Sequence, residues 1–380
     1  MQVLFTVSYY APYVSGLTLA AKRWAEAVTE TYPVTVLTMN HTGTLPDYET
    51  INAVSVERAA TTFRISKGYV SIDWLIRFIR LIKSHDTVVI HLPEFEGIIA
   101  ALIAKIQGKR VVSVYHCEVD LPKGFLNDMV QSILEVSNFL TLVLSDHVIT
   151  YTDDYAKKSR ILNVLRRFKQ RAAFSSIIPP IEKPKRDKTT DARIRKSIGT
   201  TPIVIGVAAR LAQEKGIEYL LAAIPILAKR LRKPFRIVIA GSPSPVGEEA
   251  YRRSIGILLE RHANHVSFVG EIPPDHMGSF YRMLTMLVLP SVNSTEAFGL
   301  VQAEAMRSGI PVIATNLPGV RIPVKKTGMG ILVPPRDTKT LADAIVRLLN
   351  ARTSYIRDAK AIAAEFSKRR SVTDFLNVIR

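Results

Sequence analysis

Apolar and polar residues follow one another along this chain in a pattern that predicts repeated strands and helices. Short β-branched runs, such as QVLFTVS and TVVIHL in the first half and PIVIGVAA and RIVIAG in the second, predict strands that are apolar on both faces. Amphipathic stretches such as LTLAAKRWAEAVTE lie between them. Because such strands, separated by helices, are typical of parallel sheets covered on both faces, the pattern predicts an α/β fold.

The strand and helix pattern occurs twice, on either side of a segment that is dense in Pro, Lys and Arg. We therefore predict an N-terminal domain over residues 1–180, a linker over 181–199 and a C-terminal domain over 200–365. A last helix over about 366–380 is predicted to pack back on the first domain. Two doubly wound domains would face each other across a cleft at the carboxyl ends of their sheets, where such sheets bind ligands.

The composition limits the cellular compartments and the kinds of partner that suit this protein. Among 380 residues there is one cysteine, Cys117, which excludes an internal disulfide and is typical of a reducing cytosol. The first residues predict a strand rather than a signal peptide, and no apolar run approaches the roughly 20 residues that span a bilayer. The net charge is +18, and residues 186–380 supply most of it, with 30 Lys and Arg against 16 Asp and Glu. Polyphosphates, acidic lipids and nucleic acid therefore all stay candidate partners.

The segment SYYAPYVSG joins the first predicted strand to its helix and ends at Gly16. A glycine at a helix N-terminus lets a phosphate approach the backbone N–H groups and the positive end of the helix dipole. The three-glycine fingerprint of dinucleotide-binding loops is absent. An ordinary tight turn is therefore as good an interpretation as a phosphate loop.

Two cations follow the first predicted strand of the second half. PIVIGVAA delivers Arg210 at its end, and Lys215 comes five residues later, just before a helix rich in Leu and Ala. A guanidinium can bind a diphosphate through a bidentate fork, and an ammonium can act on it as a point charge. The pair could do the work of a metal ion. Two solvated loop charges are the alternative.

Glu296 and Glu304 lie eight positions apart, in a loop and in the helix that begins around Gly299. If all eight steps were helical, the rise would be about 12 Å, whereas paired glycosidase carboxylates stand about 5 to 9.5 Å apart. The spacing disfavours a hydrolytic acid and base. It favours an elongated nucleotide sugar, with one carboxylate on the ribose, the other on the sugar, and the backbone N–H groups near Phe298, Gly299 and Leu300 on the phosphates.

The order and spacing of these motifs resemble the retaining glycosyltransferases of family 4 (glycosyl transferases group 1), whose GT-B fold has two Rossmann-like domains. Glu296 and Glu304 match the E-x7-E signature of that family, and GIPVIAT and GILVPPRD resemble its usual continuation. The resemblance places Gly241 of AGSPSP, Ile272 of FVGEIP and Gly16 at the donor. It spans nearly the whole chain and is most specific in the second half.

The resemblance implies transfer of a hexose from a UDP- or GDP-linked sugar to an acceptor hydroxyl, with retention of configuration. It implies no metal, no cofactor and no protein nucleophile. Arg210 and Lys215 would stabilise the departing diphosphate, Glu296 would hold the sugar and Glu304 the ribose. His116, at the end of VVSVYH, would touch the transferred sugar and the reacting centre, although a lone histidine is more often structural.

Two other classes of function stay open. The +18 charge would also suit a protein that binds a sugar nucleotide or nucleic acid without turnover. The chain has no RNP, helix-turn-helix or zinc-finger motif, so specific nucleic-acid binding ranks well below glycosyl transfer. A GT-B enzyme of another reaction type, a phosphorylase or an epimerase, is the remaining alternative.

Residues 155–174 predict a basic amphipathic helix that could lie on the anionic cytosolic face of the cell membrane. A core-facing helix with a solvated basic back is the alternative. Many members of the resembled family act on lipid-linked acceptors, so we expect a peripheral enzyme of the cytoplasm with a lipid-linked or membrane-presented acceptor. The cations of the stretch are Lys157, Lys158, Arg160, Arg166, Arg167, Lys169 and Arg171, and its apolar residues are Ile161, Leu162, Val164, Leu165 and Phe168.

Overall fold

The computed structural model divides the chain into two compact units. Unit 1 comprises Met1–Pro180 together with Ser367–Arg380, and unit 2 comprises Ile181–Phe366. The residues that the structure describes are 1–65, 68–121, 124–168, 173–243 and 248–380.

The strands of the described residues are short and mostly buried. In unit 1 they are β1 (Val3–Thr6), β2 (Val34–Met39), β3 (Tyr48–Ile51), β4 (Val54–Ala59), β5 (Phe63–Ile65), β6 (Gly68–Val70), β7 (Thr87–Leu92), β8 (Arg110–Tyr115), β9 (His147–Thr150) and β10 (Phe174–Ser176). In unit 2 they are β11 (Ile203–Ala208), β12 (Phe235–Ala240), β13 (Val266–Gly270), β14 (Met286–Leu289), β15 (Val312–Thr315) and β16 (Gly330–Val333).

Helices connect most of these strands. Unit 1 has α1 (Gly16–Thr29), α2 (Ile72–Ile82), α3 (Gly97–Ile106), α4 (Phe125–Leu144), α5 (Asp153–Lys158) and α6 (Arg160–Phe168). Unit 2 has α7 (Lys188–Ile198), α8 (Ile217–Ala222), α9 (Ile224–Arg230), α10 (Glu249–Arg261), α11 (Met277–Tyr281), α12 (Leu300–Arg307), α13 (Ile322–Thr327), α14 (Thr338–Asn350) and α15 (Ala359–Glu365). The chain then returns to unit 1 as α16 (Lys368–Ile379).

Each unit is built on a doubly wound sheet. The order in unit 1 is β10-β9-β8-β7-β1-β2-β4-β3, parallel except for the antiparallel β3 and β4, and β5 pairs with β6 in a separate hairpin. The order in unit 2 is β13-β12-β11-β14-β15-β16, parallel throughout. The predicted α/β class with two Rossmann-like sheets is therefore confirmed. The strand order reverses between β1 and β7 and between β11 and β14, and ligands of such sheets bind at the carboxyl ends of the strands there.

The unit 2 core explains why its strands are apolar on both faces. Side chains of β11, β12 and β14 pack in one buried cluster with the inner faces of α8, α9 and α14. Leu220 and Leu227 of α8 and α9, and Ile345 of α14, are fully buried in it. Because helices cover the sheet, a strand residue that pointed to either face would meet apolar side chains rather than water.

The last helix, α16, completes unit 1. Phe375 stacks on Trp24 of α1, with ring centroids 4.9 Å apart. The Thr87 hydroxyl donates to the Ile379 carbonyl at 3.0 Å, and the Arg110 guanidinium donates twice to the Val378 carbonyl, at 3.1 and 2.9 Å. Aromatic stacking and three hydrogen bonds thus hold the end of this helix against unit 1.

The predicted linker over 181–199 is instead part of unit 2. It contains α7, whose N-cap Asp187 accepts from the Thr190 backbone N–H at 2.7 Å. Ile194 and Ile198, four residues apart, face the protein and are buried. The high content of Lys and Arg obscured this cap and its apolar pair, since the charged residues occupy the remaining faces of a surface helix.

Candidate functional site

The loops after β11 and β14 meet at the switch point of unit 2. The Lys215 ammonium lies 2.7 Å from the Glu296 carboxylate, and both side chains are largely buried. The Ser291 hydroxyl also donates to that carboxylate, at 3.4 Å. The backbone joins the same loops, since the Val292 N–H donates to the Glu214 carbonyl at 3.0 Å. The structure therefore brings together two residues that the sequence predicted separately.

Gly216 makes the meeting of these loops possible. Its φ of +60° is left-handed, and a Cβ at this position would lie 2.3 Å from the Pro290 carbonyl oxygen. No side chain fits at that distance, so the backbone after Lys215 can approach the second loop only as glycine.

Arg210 lies beside the same loop with its guanidinium 3.2 Å from the Glu214 carboxylate. The segment after β12 runs close to it, because the Leu211 N–H donates to the Ser242 carbonyl at 3.0 Å. Gly241 permits this approach, since a Cβ there would lie 2.3 Å from the Ala209 carbonyl oxygen. Gly241 thus shapes the backbone around Arg210, and its predicted contact with a donor stays a prediction.

The amino end of α12 lies at this edge of the sheet and is open, in the sense that its first N–H groups have no capping side chain among the described residues. In the part of the chain that the structure describes, no side chain caps that end, where Gly299 has a φ of +74°. Gln302 secures the turn by donating to the carbonyls of Phe298 and Val320, at 2.8 and 3.0 Å. Phe298 and Leu300 are buried. Free N–H groups in the first turn of a helix favour an anion.

Glu304 lies inside α12 and is buried. Its carboxylate accepts a hydrogen bond from the Tyr281 hydroxyl at 2.8 Å, and the Tyr281 side chain is fully buried. Sequence reasoning missed Tyr281, because a tyrosine in the apolar stretch SFYRML carries no signal of a polar partner. Ile272, in the loop after β13, is also buried.

Gly16 is the first residue of α1 in unit 1. Its neighbour Ser15 caps the helix by accepting from the Thr18 N–H at 3.2 Å, and Thr18 accepts in return from the Ser15 N–H at 2.8 Å. A Cβ at Gly16 would meet no atom within 4 Å. The protein itself therefore does not require glycine here, and the predicted phosphate contact stays a prediction.

His116 follows β8 in unit 1 and is buried in a row of polar rings. One ring nitrogen bonds the Tyr151 hydroxyl and the other lies 2.8 Å from Nδ1 of His91. Burial lowers the pKa of His91 to about 3, and burial together with His91 holds the pKa of His116 well below its usual range. Both rings are therefore neutral, with both nitrogens of His116 engaged. The predicted contact of His116 with a sugar stays a prediction, and the structure gives this ring a structural setting.

Two carboxyl groups follow β7 at the switch point of unit 1. Glu94 accepts from the Thr6 hydroxyl at 2.7 Å, and burial raises its pKa to about 8. Burial also raises the pKa of Glu96 to about 7. No group of three His, Cys, Asp or Glu side chains suited to a metal occurs in the described ranges, and the predicted independence from metals stays a prediction.

The stretch 155–174 is not the single amphipathic helix that its periodicity predicted. Residues 155–168 lie in α5 and α6, which are separated at Ser159, whose extended backbone ends the first helix. Three of the apolar residues, Ile161, Leu162 and Leu165, face the core, so the alternative of a core-facing helix describes them correctly. Lys169 and Arg171 lie outside the described residues. No helix of the described residues is long and apolar enough to cross a membrane.

Comparison with known families decides how unit 2 is classified. Residues 188–365 match the model of the family described as glycosyl transferases group 1. Unit 2 belongs to the glycosyl transferases group 1 family. The predicted resemblance is therefore confirmed, and the Lys215–Glu296 contact and the open end of α12 lie within this glycosyl transferases group 1 domain.

Individual relatives extend the similarity beyond unit 2. The D-inositol 3-phosphate glycosyltransferase of Saccharomonospora viridis is 31% identical over 50% of this chain and 45% of its own, so the chain spans less than half the length of that relative. An uncharacterized glycosyltransferase of Methanocaldococcus jannaschii is 26% identical over 92% of this chain and 89% of its own. The crystal structure of Anabaena HepE in complex with UDP-glucose has a TM-score of 0.75 at 17% identity, covering 99% and 98% of the two chains, which shows a shared GT-B fold.

Proposed function

We propose that this protein is a retaining hexosyltransferase that takes its sugar from a nucleoside diphosphate and needs neither metal nor cofactor. The observation that carries the proposal is the Lys215–Glu296 contact, made beside the open amino end of α12 at the switch point of unit 2. A cation, a carboxylate and helix N–H groups at one edge match the three parts of a sugar diphosphate. The similarity to a protein solved with UDP-glucose supports the donor class.

The cations would act on the diphosphate. Arg210 and Lys215 each contact one carboxylate, that of Glu214 and that of Glu296. A bound diphosphate would compete for those hydrogen bonds and would bring two negative charges to a site that holds paired charges. Preorganised cations stabilise the negative charge that develops on the leaving group, and this stabilisation is strongest where water is excluded.

The two glutamates would hold opposite ends of the donor. Glu296 would accept from sugar hydroxyls and Glu304 from the ribose hydroxyls. Tyr281 fixes one oxygen of Glu304, so we assign it a positioning role. The E-x7-E spacing, through its resemblance to retaining enzymes, supports retention of configuration. His116 is not given a direct role, because its ring nitrogens already bond Tyr151 and His91.

We further propose that the acceptor is lipid-linked or membrane-presented, and that the enzyme works peripherally at the cytosolic face of the membrane. Exposed cations on α5 and α6, among them Lys157, Lys158 and Arg167, support attraction to anionic lipid. The attraction is reduced by neighbouring acids, since Asp153 pairs with Lys157 and with Arg166.

A donor screen tests the central proposal. The protein is titrated with UDP, GDP and their hexose conjugates by calorimetry, and release of the nucleoside diphosphate is followed with and without acceptor hydroxyls. We expect one nucleotide to bind, and Lys215→Ala to weaken it at least about tenfold.

Unit 2 offers a matched control for that variant. Lys326 pairs with Glu365 at 2.8 Å, so Lys326→Ala removes a Lys–Glu contact elsewhere in the same unit. It should leave nucleotide affinity unchanged. Equal affinity in the two variants would contradict the assigned site. Turnover with orthophosphate but no hydroxyl acceptor would indicate a phosphorylase, and change of the donor sugar without transfer would indicate an epimerase. Binding of arbitrary nucleic acid with steep salt dependence would support the non-catalytic alternative.

A further inference from the structure

Helix α4 turns many of its large apolar side chains towards solvent. Its exposed positions include Phe125, Leu126, Met129, Ile133 and Val136, and Asp128 is the one charged residue among the exposed positions of this described helix. A helix on the surface of a protein in water normally turns such residues inward. The exposed side of α4 is therefore the side that a soluble protein would be expected to bury.

The buried side of α4 carries three polar residues, Ser137, Asn138 and Thr141, beside Leu134 and Leu142, and the polar groups are bonded inside unit 1. The Ser137 hydroxyl donates to the Phe95 carbonyl at 3.0 Å, and the Thr141 hydroxyl donates to the Ser137 carbonyl at 2.7 Å. Asn138 accepts from the Glu94 N–H at 3.3 Å. Because these buried groups are satisfied where they are, rotating α4 to hide its apolar side would leave them unpaired, so the orientation is fixed.

Neighbouring helices extend the apolar side of α4. Helix α4 contacts α3 and α6, and α3 contacts α2. Each of these helices also exposes large apolar side chains at helical spacing. We call the set the apolar face, and its residues are Ile72, Ile76 and Ile79 of α2, Ile99, Leu102 and Ile106 of α3, Phe125, Leu126, Met129, Ile133, Val136, Leu140 and Val143 of α4, and Val164 and Phe168 of α6.

The apolar face accounts for most of the exposed large apolar side chains of the described chain. Fifteen of those 21 residues lie on it, whereas two, Ile257 and Ile356, lie in unit 2. Single exposed apolar residues are ordinary, but a contiguous group on four adjoining helices marks an interaction surface.

The charges on these helices indicate the occupant. Their exposed charged residues are four cations, Arg80, Lys105, Arg160 and Arg167, and one anion, Asp128. Three of the cations pair with acids: Arg80 with Glu57, Lys105 with Asp146, and Arg160 with Asp120 and Glu135. The exposed cations still outnumber the exposed acid on these helices, and an apolar surface edged by Lys and Arg matches the interface of an anionic bilayer, where apolar side chains enter the boundary of headgroups and acyl chains. A second copy of the chain is the other candidate occupant, and light scattering distinguishes it.

We propose that the apolar face is a membrane-docking surface and that it inserts into the interface of an anionic phospholipid bilayer. The inference rests on the membrane-presented acceptor proposed above, and it adds α2, α3 and α4 to the contact proposed for the stretch 155–174, of which Val164 and Phe168 belong to the apolar face. Attraction through α5 and α6 alone would disappear in high salt, because screening removes it. Insertion of α4 adds an apolar contribution, so binding should persist partly in salt once the protein is on the vesicle.

Flotation with vesicles tests the surface without donor or acceptor. The full chain is mixed with vesicles of phosphatidylcholine alone or with added phosphatidylglycerol. We expect binding to the anionic vesicles, and the triple variant Leu126→Ser, Ile133→Ser, Leu140→Ser should lose it at least about tenfold. Ile257→Ser, which changes an exposed isoleucine of unit 2, is the matched control and should bind as the parent does. Circular dichroism and nucleotide calorimetry check that the variants fold.

A fluorescent probe tests insertion directly. The two native tryptophans, Trp24 and Trp74, are buried, so they report little of the surroundings. Leu126→Trp should shift its emission to the blue when anionic vesicles are added. The inference is overturned if the triple variant floats as the parent does, or if the added tryptophan stays in water.

The other outcomes are equally decisive. Light scattering that showed a dimer, separated by the triple variant and indifferent to vesicles, would assign the face to a second copy and overturn the inference. Vesicle binding without nucleotide binding would leave the docking surface standing while the proposed glycosyl transfer fails. Nucleotide binding without vesicle binding would leave the proposed glycosyl transfer standing and overturn the docking surface.

Discussion

The carboxyl edges of the two sheets have the same topology and opposite chemistry. In unit 2 the edge holds salt bridges, in which Arg210 contacts Glu214 and Lys215 contacts Glu296. In unit 1 it holds His116 and Glu94, which could carry charge but which burial keeps neutral over much of the physiological range. Residue type alone does not set the polarity of a site. Burial without an opposite charge favours the neutral form of a titratable group, whereas a partner of opposite charge favours the charged form.

The difference also predicts which edge tolerates change. Charges in unit 2 depend on loops that glycine residues bring together, so they should be sensitive to backbone geometry. The neutral groups of unit 1 depend on exclusion of water, so they should be sensitive to pH. Three substitutions test this difference between the two units.

The largest effect is expected from Gly216→Ala. The added Cβ would lie 2.3 Å from the Pro290 carbonyl oxygen, so the loops must separate and carry Lys215 away from Glu296. We expect nucleotide affinity to fall about a hundredfold or more, as measured by calorimetry.

Gly199→Ala separates backbone strain from the steric clash in that experiment. Gly199 also has a positive φ, +58°, and a Cβ there meets no atom within 4 Å, although its ψ of −139° differs from the 29° of Gly216. Gly199→Ala should cost about 1–3 kcal/mol of stability through backbone strain alone and leave nucleotide affinity intact. Similar binding defects in both variants would mean that the close approach at Pro290 is not what matters.

A smaller effect is expected from Glu94→Gln, which tests the neutral edge. The pKa of Glu94 in the folded protein, about 8, lies above its ordinary value of 4.5, so the folded state holds a proton that the unfolded state releases. Its contribution to stability is complete below pH 4.5 and is lost as the pH rises towards 8. The variant should flatten this decline and stabilise unit 1 at pH 8 by on the order of 2 kcal/mol.

Tryptophan fluorescence is suited to that measurement, because both tryptophans of the chain lie in unit 1. Urea unfolding followed at pH 5 and at pH 8 gives the two stabilities. Glu365→Gln, a change on the surface of unit 2, serves as the control. A change in stability from pH 5 to pH 8 that is the same in the parent and in Glu94→Gln would show that Glu94 does not contribute to it.

The smallest effect is expected from Tyr281→Phe. The substitution removes one hydrogen bond to the Glu304 carboxylate and keeps the ring. We expect about a three- to tenfold loss of affinity for the nucleoside diphosphate, because one hydrogen bond to a charged group contributes about 1 kcal/mol or slightly more. Loss of structure, visible as a lower unfolding midpoint without any change in affinity, would assign Tyr281 to the core alone.

Much of the fold was predictable because its strands are buried on both faces. Runs such as those of β11 and β14 are continuous in apolar residues, a pattern that is typical of a parallel sheet covered by helices. The unit 2 site was predictable because glycines and charges stand at fixed spacing in the loops after β11 and β14. Local sequence is enough to predict a site where residues of two short loops form it.

The remaining features depend on distant partners. His91 and His116 are 25 positions apart, and only the pairing of β7 with β8 makes them neighbours. The break at Ser159 interrupts a helical pattern that continues in the sequence. Helix α4 violates the assumption that apolar residues point inward, so the periodicity of its sequence could not have oriented it.

The return of α16 to unit 1 has a consequence for biosynthesis. Residues 367–380 leave the ribosome only after all of unit 2. Until then, the Trp24 ring, the Thr87 hydroxyl and the Arg110 guanidinium cannot make their contacts with α16. Domains generally fold as units during synthesis, in the order in which they appear. Here the order differs: unit 2 can complete its fold before unit 1 does, because unit 1 lacks α16 until the end of the chain has been synthesised.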